Sequence, residues 1–353
     1  MRRARPTREK QYRYGGGVKA SVLEGPGRIA LRTIADPAPR EGEVLVRVTH
    51  TGVCGTDVKI FDGSIPVRLP LVMGHETVGE VVGGDIGSRV GRGTRVLIDP
   101  TLCCGRCFYC EKAQTYLCLD GALMGRDVDG GFAELVAAPA KNCHALPEAI
   151  DPAAAPLIQV LTTVHHAQTL ARIGTGETVV ILGLGVTGQL HVQSAKALGA
   201  IRVIAVSRNA DKRRLAEALG ADVAVDHGAD ARRAVLDATR GLGADVVIEA
   251  VGRVSLLEEA IDLVRPAGRI VPYGIYAERE ARFPFYQLYF KELAIVASRA
   301  APARDFPASI ALVREGAVRL DPLVSDRMPF TDLGRALARM TGGGGRLKII
   351  LEH

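Results

Sequence analysis

The stretch from Glu177 to Ala200 constrains the fold of this chain more than any other. Its residues 179–182 form a short apolar run rich in β-branched side chains, which is typical of a buried parallel strand. A glycine-rich turn, residues 183–188, follows the run and leads into a helical pattern of apolar residues. Binding of a pyrophosphate requires this order of strand, turn and helix, because the backbone of the turn must approach the pyrophosphate closely and the helix start offers free N–H groups. The stretch therefore predicts dinucleotide binding by Gly183, Gly185, Val186, Thr187 and Gly188.

Downstream of this turn, apolar strands alternate with helical patterns. The further strands are expected at residues 203–206, 222–225, 245–250, 269–273 and 293–297. The helices between them are expected at residues 211–219, 231–239 and 255–264. Regular alternation of this kind gives a parallel sheet with helices on both faces. The predicted fold class is therefore α/β, with a doubly wound parallel sheet.

The residues before the glycine turn predict a second, β-rich domain. Residues 18–34 and 42–48 alternate apolar and polar side chains, which is typical of strands with one buried face. A length of 353 residues, 47% of them hydrophobic, is enough for two domains with cores of their own.

The net charge of +6 is concentrated at the start of the chain. Residues 1–17 hold six basic side chains and one acidic one, so the rest of the chain is nearly neutral and shows no electrostatic footprint for nucleic acid. No run of about 18 apolar residues predicts a membrane span, and the basic start has no apolar region typical of a secretory signal. We therefore expect a cytoplasmic protein with a flexible basic extension over residues 1–17.

Five of the seven cysteines lie within residues 103–118. This clustering differs from a secreted disulfide scaffold and favours metal binding in a reducing compartment. Four of them follow the spacing C-x2-C-x2-C-x7-C, which lets four thiolates surround one tetrahedral Zn²⁺ with no open position. The expected ligands of this structural zinc are Cys104, Cys107, Cys110 and Cys118.

A second set of metal-binding residue types lies upstream. Cys54 stands in the sequence TGVCGTD, and His75 and Glu76 stand in GHETVG. Thiolate, imidazole and carboxylate are the side-chain ligands of Zn²⁺ in proteins. Taken alone, each of the three is better explained as a core thiol or a satisfied buried side chain, so the zinc hypothesis depends on their occurring together.

These motifs and the downstream glycine turn together resemble the zinc-dependent alcohol dehydrogenases of the medium-chain dehydrogenase/reductase family over residues 18–353. The resemblance implies a GroES-like catalytic domain with a structural-zinc lobe over residues 18–158 and 299–353. It also implies a Rossmann dinucleotide-binding domain over residues 159–298. Because the family counterpart of the strand at 293–297 pairs across a subunit interface, a homo-oligomer is expected, either a dimer or a tetramer.

The resemblance also assigns catalytic roles. It implies that Cys54, His75 and Glu76 hold a catalytic zinc that acts as a Lewis acid on the substrate oxygen, which gives two Zn²⁺ per subunit. Gln159 stands where relatives often carry a cysteine or an acid, and an amide is a poor zinc ligand, so a water is expected in the fourth position. Thr56 matches the hydroxyl that takes the proton of a small alcohol substrate.

For the cofactor, the resemblance places Thr163 against the nicotinamide and Lys348 at the pyrophosphate. In NAD enzymes an Asp or Glu after the second strand accepts a hydrogen bond from the ribose 2′-OH. Here Ser207 and Arg208 follow that strand, and Lys212 lies in the next helix. A hydroxyl and cations suit a 2′-phosphate, so NADP(H) is expected over NAD(H). The alternative is that Arg208 is an ordinary exposed arginine and either cofactor is accepted.

Three functional hypotheses follow from these residues and from what the resemblance implies. The first is a dehydrogenase for a secondary alcohol or its ketone, and the second is a polyol (sorbitol-like) or L-threonine 3-dehydrogenase-like enzyme. The third is a non-catalytic NADP(H)-binding zinc protein. The intact set of Cys54, His75 and Glu76 favours an enzyme over the third.

Overall fold

The computed structural model describes residues 14–85, 90–342 and 346–353, and the chain divides into two units. The first unit contains the residues up to Pro156, residues 326–342 and the final strand. The second contains residues 157–325 with residues 346 and 347.

The strands in chain order are β1 (Tyr14–Gly25), β2 (Arg28–Ile34), β3 (Glu43–Val53), β4 (Leu71–Val72), β5 (Glu76–Gly84), β6 (Arg95–Ile98), β7 (Thr101–Leu102), β8 (Ala122–Leu123), β9 (Leu135–Pro139), β10 (Cys143–Ala145), β11 (Thr178–Leu182), β12 (Arg202–Val206), β13 (Val223–Val225), β14 (Ala244–Glu249), β15 (Val264–Pro272), β16 (Ala294–Ile295), β17 (Val324–Pro329) and β18 (Lys348–Glu352).

The α-helices are α1 (Gly55–Phe61), α2 (Phe108–Glu111), α3 (Leu157–Leu170), α4 (Val186–Ala197), α5 (Ala210–Ala218), α6 (Ala229–Ala238), α7 (Val254–Leu263), α8 (Phe285–Phe290), α9 (Asp305–Arg314) and α10 (Leu333–Thr341). None of the helices in the described residues has both the length and the apolar character that crossing a membrane requires.

The first unit is built from β-sheets. The largest has seven strands in the order β10-β6-β5-β3-β18-β17, and β9 also pairs with β3. The pairings of β3 with β5, β9 and β18 are antiparallel. A three-stranded sheet, β2-β1-β4, and a two-stranded one, β7-β8, complete the unit. This arrangement brings β18, from the end of the chain, next to the strand that ends at Val53.

Apolar side chains fill the first unit in two clusters. One contains Met73, Phe132 and Ile349, each with no measurable exposure, and it includes residues of α10. The other contains Val46 and Val81 from the large sheet. Because α1 packs against α10, the start of α1 is held on the core of this unit.

The second unit is a parallel sheet in the order β13-β12-β11-β14-β15-β16. The predicted doubly wound α/β sheet is therefore confirmed, with β11 at its centre. In the register of the strands, Leu182 pairs with Val206 on one side and Glu249 on the other. The carboxyl ends of the three central strands therefore meet around the glycine turn, which is where parallel sheets of this kind bind ligands.

The apolar run of β11 follows from burial on both faces of the sheet. Val179 and Ile181 belong to the cluster on one face, and Val180 and Leu182 belong to the cluster on the other. Successive side chains of a strand point in opposite directions, so a sheet covered on both sides needs apolar residues at every position.

Three boundaries differ from those predicted, one of them by only two residues, since the first unit runs to Pro156 and not to residue 158. The predicted basic extension ran to residue 17, but Tyr14–Gly25 form β1, and the remaining residues of the extension, 1–13, lie outside the described chain. The return to the first domain was predicted at residue 299, whereas residues up to 325 belong to the second unit. The reason is that α9 packs on α3, where Nδ1 of His166 lies 3.1 Å from Oδ2 of Asp305.

Candidate metal and cofactor sites

Cys54, His75 and Glu76 meet at the ends of two paired strands. Cys54 follows β3 and precedes α1, while His75 and Glu76 stand at the start of β5. One ligand atom from each of the three lies within 4.8 Å of the other two. The register pairs Gly52 with Glu76, and a Cβ at Gly52 would lie 2.0 Å from Oε2 of Glu76. A glycine is therefore needed there for the carboxylate to occupy this position.

Asp57 connects two of these residues. Its Oδ2 accepts a hydrogen bond of 2.8 Å from the backbone N–H of Cys54, and its Oδ1 lies 3.4 Å from Nδ1 of His75. Burial lowers the pKa of His75, but the Asp57 carboxylate and Cys54 raise it more, so the net pKa lies well above the ordinary value. A carboxylate on one imidazole nitrogen fixes the ring and leaves the other nitrogen for a metal.

Lys348, the first residue of β18, is buried beside Glu76. Its Nζ lies 2.8 and 2.7 Å from the two carboxylate oxygens and 3.3 Å from the carbonyl oxygen of Val53. Burial lowers the pKa of Lys348, but Glu76 and Cys54 raise it more, and the net direction is up. The resemblance assigned Lys348 to the cofactor pyrophosphate, and this stays a prediction. In the structure the Lys348 ammonium lies on Glu76, because β18 pairs with β3.

The donor set fits Zn²⁺. It combines a thiolate, an imidazole and a carboxylate that are close together, and His75 and Glu76 are buried. The carboxylate of Glu76 is shared with Lys348, so its two oxygens serve both an ammonium and a metal ligand position. Thr56 lies half-buried on α1, two residues after Cys54.

The four cysteines predicted as structural ligands also converge. The Sγ atom of Cys107 lies 3.5 Å from that of Cys110 and 3.8 Å from that of Cys118, and the Sγ atoms of Cys104 and Cys110 are 4.0 Å apart. Four sulfurs at the usual Zn–S distance in a tetrahedron are about 3.8 Å apart. The spacing seen in the sequence therefore produces a cluster of the size that a closed zinc site needs.

Backbone N–H groups point at these sulfurs. Those of Leu119 and Cys110 lower the pKa of Cys107 to about 6, and that of Arg106 lowers the pKa of Cys104. Burial and hydrogen bonds from neighbouring sulfurs raise the pKa of Cys110 to about 12. Four thiolates at this distance repel one another unless a cation lies between them, so the cluster is chemically complete only with a metal.

In the second unit, the glycine turn leaves room for a ligand. At Gly188 a Cβ would lie 1.9 Å from the carbonyl oxygen of Gly183, so packing requires a glycine there. At Gly185 a Cβ would meet no protein atom within 4 Å, so packing does not require a glycine, whereas close approach of a pyrophosphate does. Val186 and Thr187 begin α4 directly after this turn and offer their N–H groups.

A cavity of about 650 Å³ adjoins the turn. Ser207, Arg208 and Lys212 line it, and none of the described residues that line it is acidic. The assignment of these three residues to the adenosine end of a cofactor stays a prediction. Within the described chain, Arg208 and Lys212 form no ion pair, and burial lowers the pKa of Lys212. Cations without a counter-ion around a cavity favour an anionic ligand.

Sequence reasoning missed two further residues of this cavity. Arg253 follows β14, and His227 follows β13, where its Nδ1 lies 2.9 Å from Oε2 of Glu259. The signal that points to both is their position just after the carboxyl end of a parallel strand. Arg213, by contrast, donates to the carbonyl oxygen of Ser207 and is not among the residues that line the cavity.

Two residues of α3 were singled out in the sequence. Thr163 is half-buried, and its Oγ1 lies 2.7 Å from the hydroxyl oxygen of Tyr273. Gln159 is also half-buried and lies one turn earlier on the same helix.

Two family matches cover most of the chain. Residues 40–148 match the alcohol dehydrogenase GroES-like domain, and residues 186–315 match the zinc-binding dehydrogenase. The first of these confirms the GroES-like fold expected for the β-rich domain.

Individual relatives match over more than four-fifths of this chain. A sorbitol dehydrogenase from Halalkalibacterium halodurans is 32% identical, with 93% of this chain and 96% of the relative covered. An L-threonine 3-dehydrogenase from Pyrococcus horikoshii is 33% identical over 82% of this chain and 85% of its own. The crystal structure of a putative zinc-binding dehydrogenase from Sinorhizobium meliloti 1021 bound to NADP has a TM-score of 0.90 and 32% identity, and covers 96% of this chain and 100% of its own.

Proposed function

Because this chain belongs to the zinc-dependent alcohol dehydrogenases of the medium-chain dehydrogenase/reductase family and is thus an oxidoreductase, we propose that it transfers a hydride between NADP(H) and a small secondary alcohol or its ketone. The observation that carries the proposal is the cluster of Cys54, His75 and Glu76, whose ligand atoms lie within 4.8 Å of one another. A non-catalytic zinc protein is not favoured, since such a protein has no need of a metal position beyond the four-cysteine site.

The residues around this cluster have separate roles in the proposed reaction. A zinc bound here would supply Lewis acidity toward the substrate oxygen, and a bound nicotinamide would supply the acceptor or donor of the hydride. Cys54, His75 and Glu76 hold the metal, with Asp57 orienting His75 and Lys348 balancing the charge of Glu76. Thr56, two residues after Cys54, relays the hydroxyl proton: its oxygen accepts that proton while its own hydrogen passes to solvent water, because a hydroxyl can both accept and donate a hydrogen bond.

Gln159 is not a zinc ligand in this proposal. Its side chain offers an amide oxygen, which binds Zn²⁺ more weakly than thiolate, imidazole or carboxylate. Gln159→Ala should therefore retain the full zinc content and change turnover only modestly. Loss of one zinc ion in this variant contradicts the three-ligand assignment.

NADP(H) is proposed as the cofactor because of the cavity beside the glycine turn. Arg208 and Lys212 supply cations, and Ser207 supplies a hydroxyl without the repulsion that a carboxylate causes. Arg253 adds a third cation from the opposite loop. The NADP bound to the Sinorhizobium meliloti relative is in keeping with this choice. Thr163 is proposed to contact the nicotinamide end.

Two zinc ions per subunit are proposed, one catalytic and one in the four-cysteine lobe. All seven cysteines lie in the described residues and none of them forms a disulfide, which is in keeping with a reducing cytoplasm. A closed four-thiolate site contributes to folding and does not take part in the reaction.

A homo-oligomer, dimer or tetramer, is proposed because one face of the second unit is unusually apolar. The strand β16 is an edge of the parallel sheet, and the residues Phe285 and Tyr289 of α8 are 71% and 79% exposed. An open strand edge beside exposed aromatic rings is a surface that a second copy can cover. Measurement of the solution mass tests this part.

A panel of candidate alcohols tests the substrate class. Simple secondary alcohols, polyols and hydroxy-amino acids are offered with NADP and with NAD, before and after removal of metal by a chelator. The proposal expects oxidation of at least one alcohol that depends on both zinc and NADP. Preference for a polyol or for threonine supports the second hypothesis, which the sorbitol and threonine dehydrogenase relatives motivate. No activity from the metal-loaded protein on any substrate class refutes the proposal.

A further inference from the structure

We propose that Tyr273 is a positioning residue for the nicotinamide end of the cofactor, acting through a hydrogen bond that fixes the side chain of Thr163. The inference rests on the proposed function, in which Thr163 contacts the nicotinamide. Tyr273 directly follows β15, at the carboxyl edge of the parallel sheet, where a dinucleotide binds in folds of this class.

The two hydrogen bonds of Thr163 show which hydroxyl donates the hydrogen in its contact with Tyr273. Its Oγ1 lies 2.7 Å from the carbonyl oxygen of Val160 and 2.7 Å from the hydroxyl oxygen of Tyr273. A threonine hydroxyl has one hydrogen, and the carbonyl can only accept, so Thr163 donates to Val160. Tyr273 must then donate its phenolic hydrogen to Thr163.

This second bond matters because threonine in a helix divides between two rotamers. Its hydroxyl can reach the backbone carbonyl one turn earlier, which Thr163 does through Val160. Donation by Tyr273 stabilises the same rotamer from outside the helix. A side chain that touches the nicotinamide is thereby held in one orientation before the cofactor arrives, which favours productive alignment of the reacting atoms.

The ring of Tyr273 is itself anchored. It meets the imidazole of His191 edge to face, with centroids 4.6 Å apart and planes at 88°. His191 is held by Gln168, whose Nε2 lies 3.0 Å from Nδ1 of His191 and donates to its backbone carbonyl at 2.9 Å. Burial lowers the pKa of His191 to about 3, so the imidazole is neutral and this anchor does not change with physiological pH.

The rest of the loop after β15 is fixed as well. The hydroxyl of Tyr276 donates to Glu249 at 2.6 Å, and the same carboxylate accepts from the N–H groups of Val251 and Gly252. Residues 273–276 are therefore tied to α3 through Tyr273 and to the end of β14 through Tyr276. A side chain on such a loop can hold another with little freedom of its own.

The test is a double-mutant cycle in the full-length, zinc-loaded enzyme. Tyr273→Phe removes only the hydroxyl and keeps the ring on His191, and Thr163→Val removes its acceptor. Thr169→Val is the matched control, because Thr169 is an exposed residue of the same helix. Three quantities are measured for each variant: kcat with the best alcohol of the panel, the primary deuterium isotope effect on kcat, and the dissociation constant of NADPH from nicotinamide fluorescence.

Tyr273→Phe is expected to lower kcat about three- to tenfold, the range of one neutral hydrogen bond, and to raise the isotope effect. The dissociation constant of NADPH should change by less than roughly twofold, because the phosphate contacts are intact. In the Thr163→Val background Tyr273→Phe should have no further effect. Thr169→Val should match the unmodified enzyme in all three quantities.

Two results overturn the inference: kinetics of Tyr273→Phe equal to those of the unmodified enzyme, or additive effects of the two substitutions. A lower melting temperature with unchanged kcat and isotope effect likewise shows that the hydroxyl is only structural. These outcomes are distinct from failure of the proposed function, in which the unmodified enzyme itself shows no NADP(H)-dependent turnover.

Discussion

The ammonium of Lys348 lies 2.7 and 2.8 Å from the two carboxylate oxygens of Glu76, and both side chains are buried. Each group compensates the desolvation of the other, and the pair ties the last strand of the chain to the first residue of β5. The same carboxylate belongs to the candidate catalytic metal cluster. The charge of the metal site is therefore set in part by a residue 272 positions away in the sequence.

Removing Lys348 should destabilise the protein strongly. Lys348→Met leaves the Glu76 charge buried without its partner, which typically costs about 3–5 kcal/mol of unfolding free energy. The double variant Lys348→Met with Glu76→Gln should recover most of this loss, because neither member of the pair then carries a charge. Lys196→Met removes a lysine whose ion pair with Asp222 is about one-third exposed, and should cost less than about 1 kcal/mol. Denaturant unfolding of the unmodified protein and the three variants is the measurement. Equal losses of unfolding free energy in Lys348→Met and Lys196→Met contradict the assignment of Lys348 and Glu76 as a buried ion pair.

The parts of the fold that depend on local pattern were predictable. The run 179–182 became Thr178–Leu182 because burial on both faces requires apolar residues at every position. The strand expected at 269–273 is longer in the structure, Val264–Pro272. Its first half was not predicted because Arg265, Pro266 and Gly268 are not typical of a strand. Such residues are tolerated where the register with β14 is irregular, between Ala244 and Val246.

The parts that depend on distant pairing were not predictable. Nothing near Lys348 in sequence shows that its strand lies beside β3, and so the partner of its ammonium could not be inferred. The contact of α9 with α3, which keeps residues up to 325 in the second unit, is likewise set by packing. The two metal clusters differ in this respect, because the four-cysteine spacing is local, whereas Cys54 and His75 meet only through the pairing of β3 with β5.

Metal content should separate the two clusters. Two zinc ions per subunit are expected in the unmodified protein. Cys54→Ala should lose one zinc and all activity while remaining folded. Cys107→Ala should lose the other and lower the melting temperature, because a closed thiolate site contributes folding energy. Metal analysis with a melting curve for each variant is the measurement. A folded unmodified protein with a single zinc refutes the two-site assignment.

The carboxyl of Asp99 should make stability fall as the pH rises. Burial raises its pKa to about 7 in the folded protein, against 3.8 ordinarily. Between about pH 4 and pH 7 the folded state holds a proton that the unfolded state has lost, so the unfolding free energy decreases as the pH rises.

Asp99→Asn removes this dependence. It should stabilise the protein at pH 8, on the order of 3–4 kcal/mol, and have little effect at pH 4. Its amide oxygen can still accept the N–H of Thr101, as Asp99 does at 2.9 Å. Asp36→Asn, at an exposed position, is the control. Unfolding curves at both pH values are the measurement. If Asp99→Asn raises the unfolding free energy equally at pH 4 and pH 8, the raised pKa of Asp99 is not the cause.

Cofactor choice should be reversible at two positions. In the cavity beside the glycine turn, Ser207 and Arg208 stand where a carboxylate would bind the ribose hydroxyls of NAD, and none of the described residues that line the cavity is acidic. One charge-assisted contact to a 2′-phosphate contributes roughly 1.5–3 kcal/mol, which corresponds to a preference for NADP on the order of ten- to a hundredfold in kcat/KM. Ser207→Asp combined with Arg208→Ala places a carboxylate against the 2′-phosphate and removes a cation, so the order should invert toward NAD. Arg233→Ala, at an exposed arginine of α6, is the control and should leave the ratio unchanged. Equal kcat/KM for the two cofactors in the unmodified enzyme shows instead that Arg208 is an ordinary surface residue.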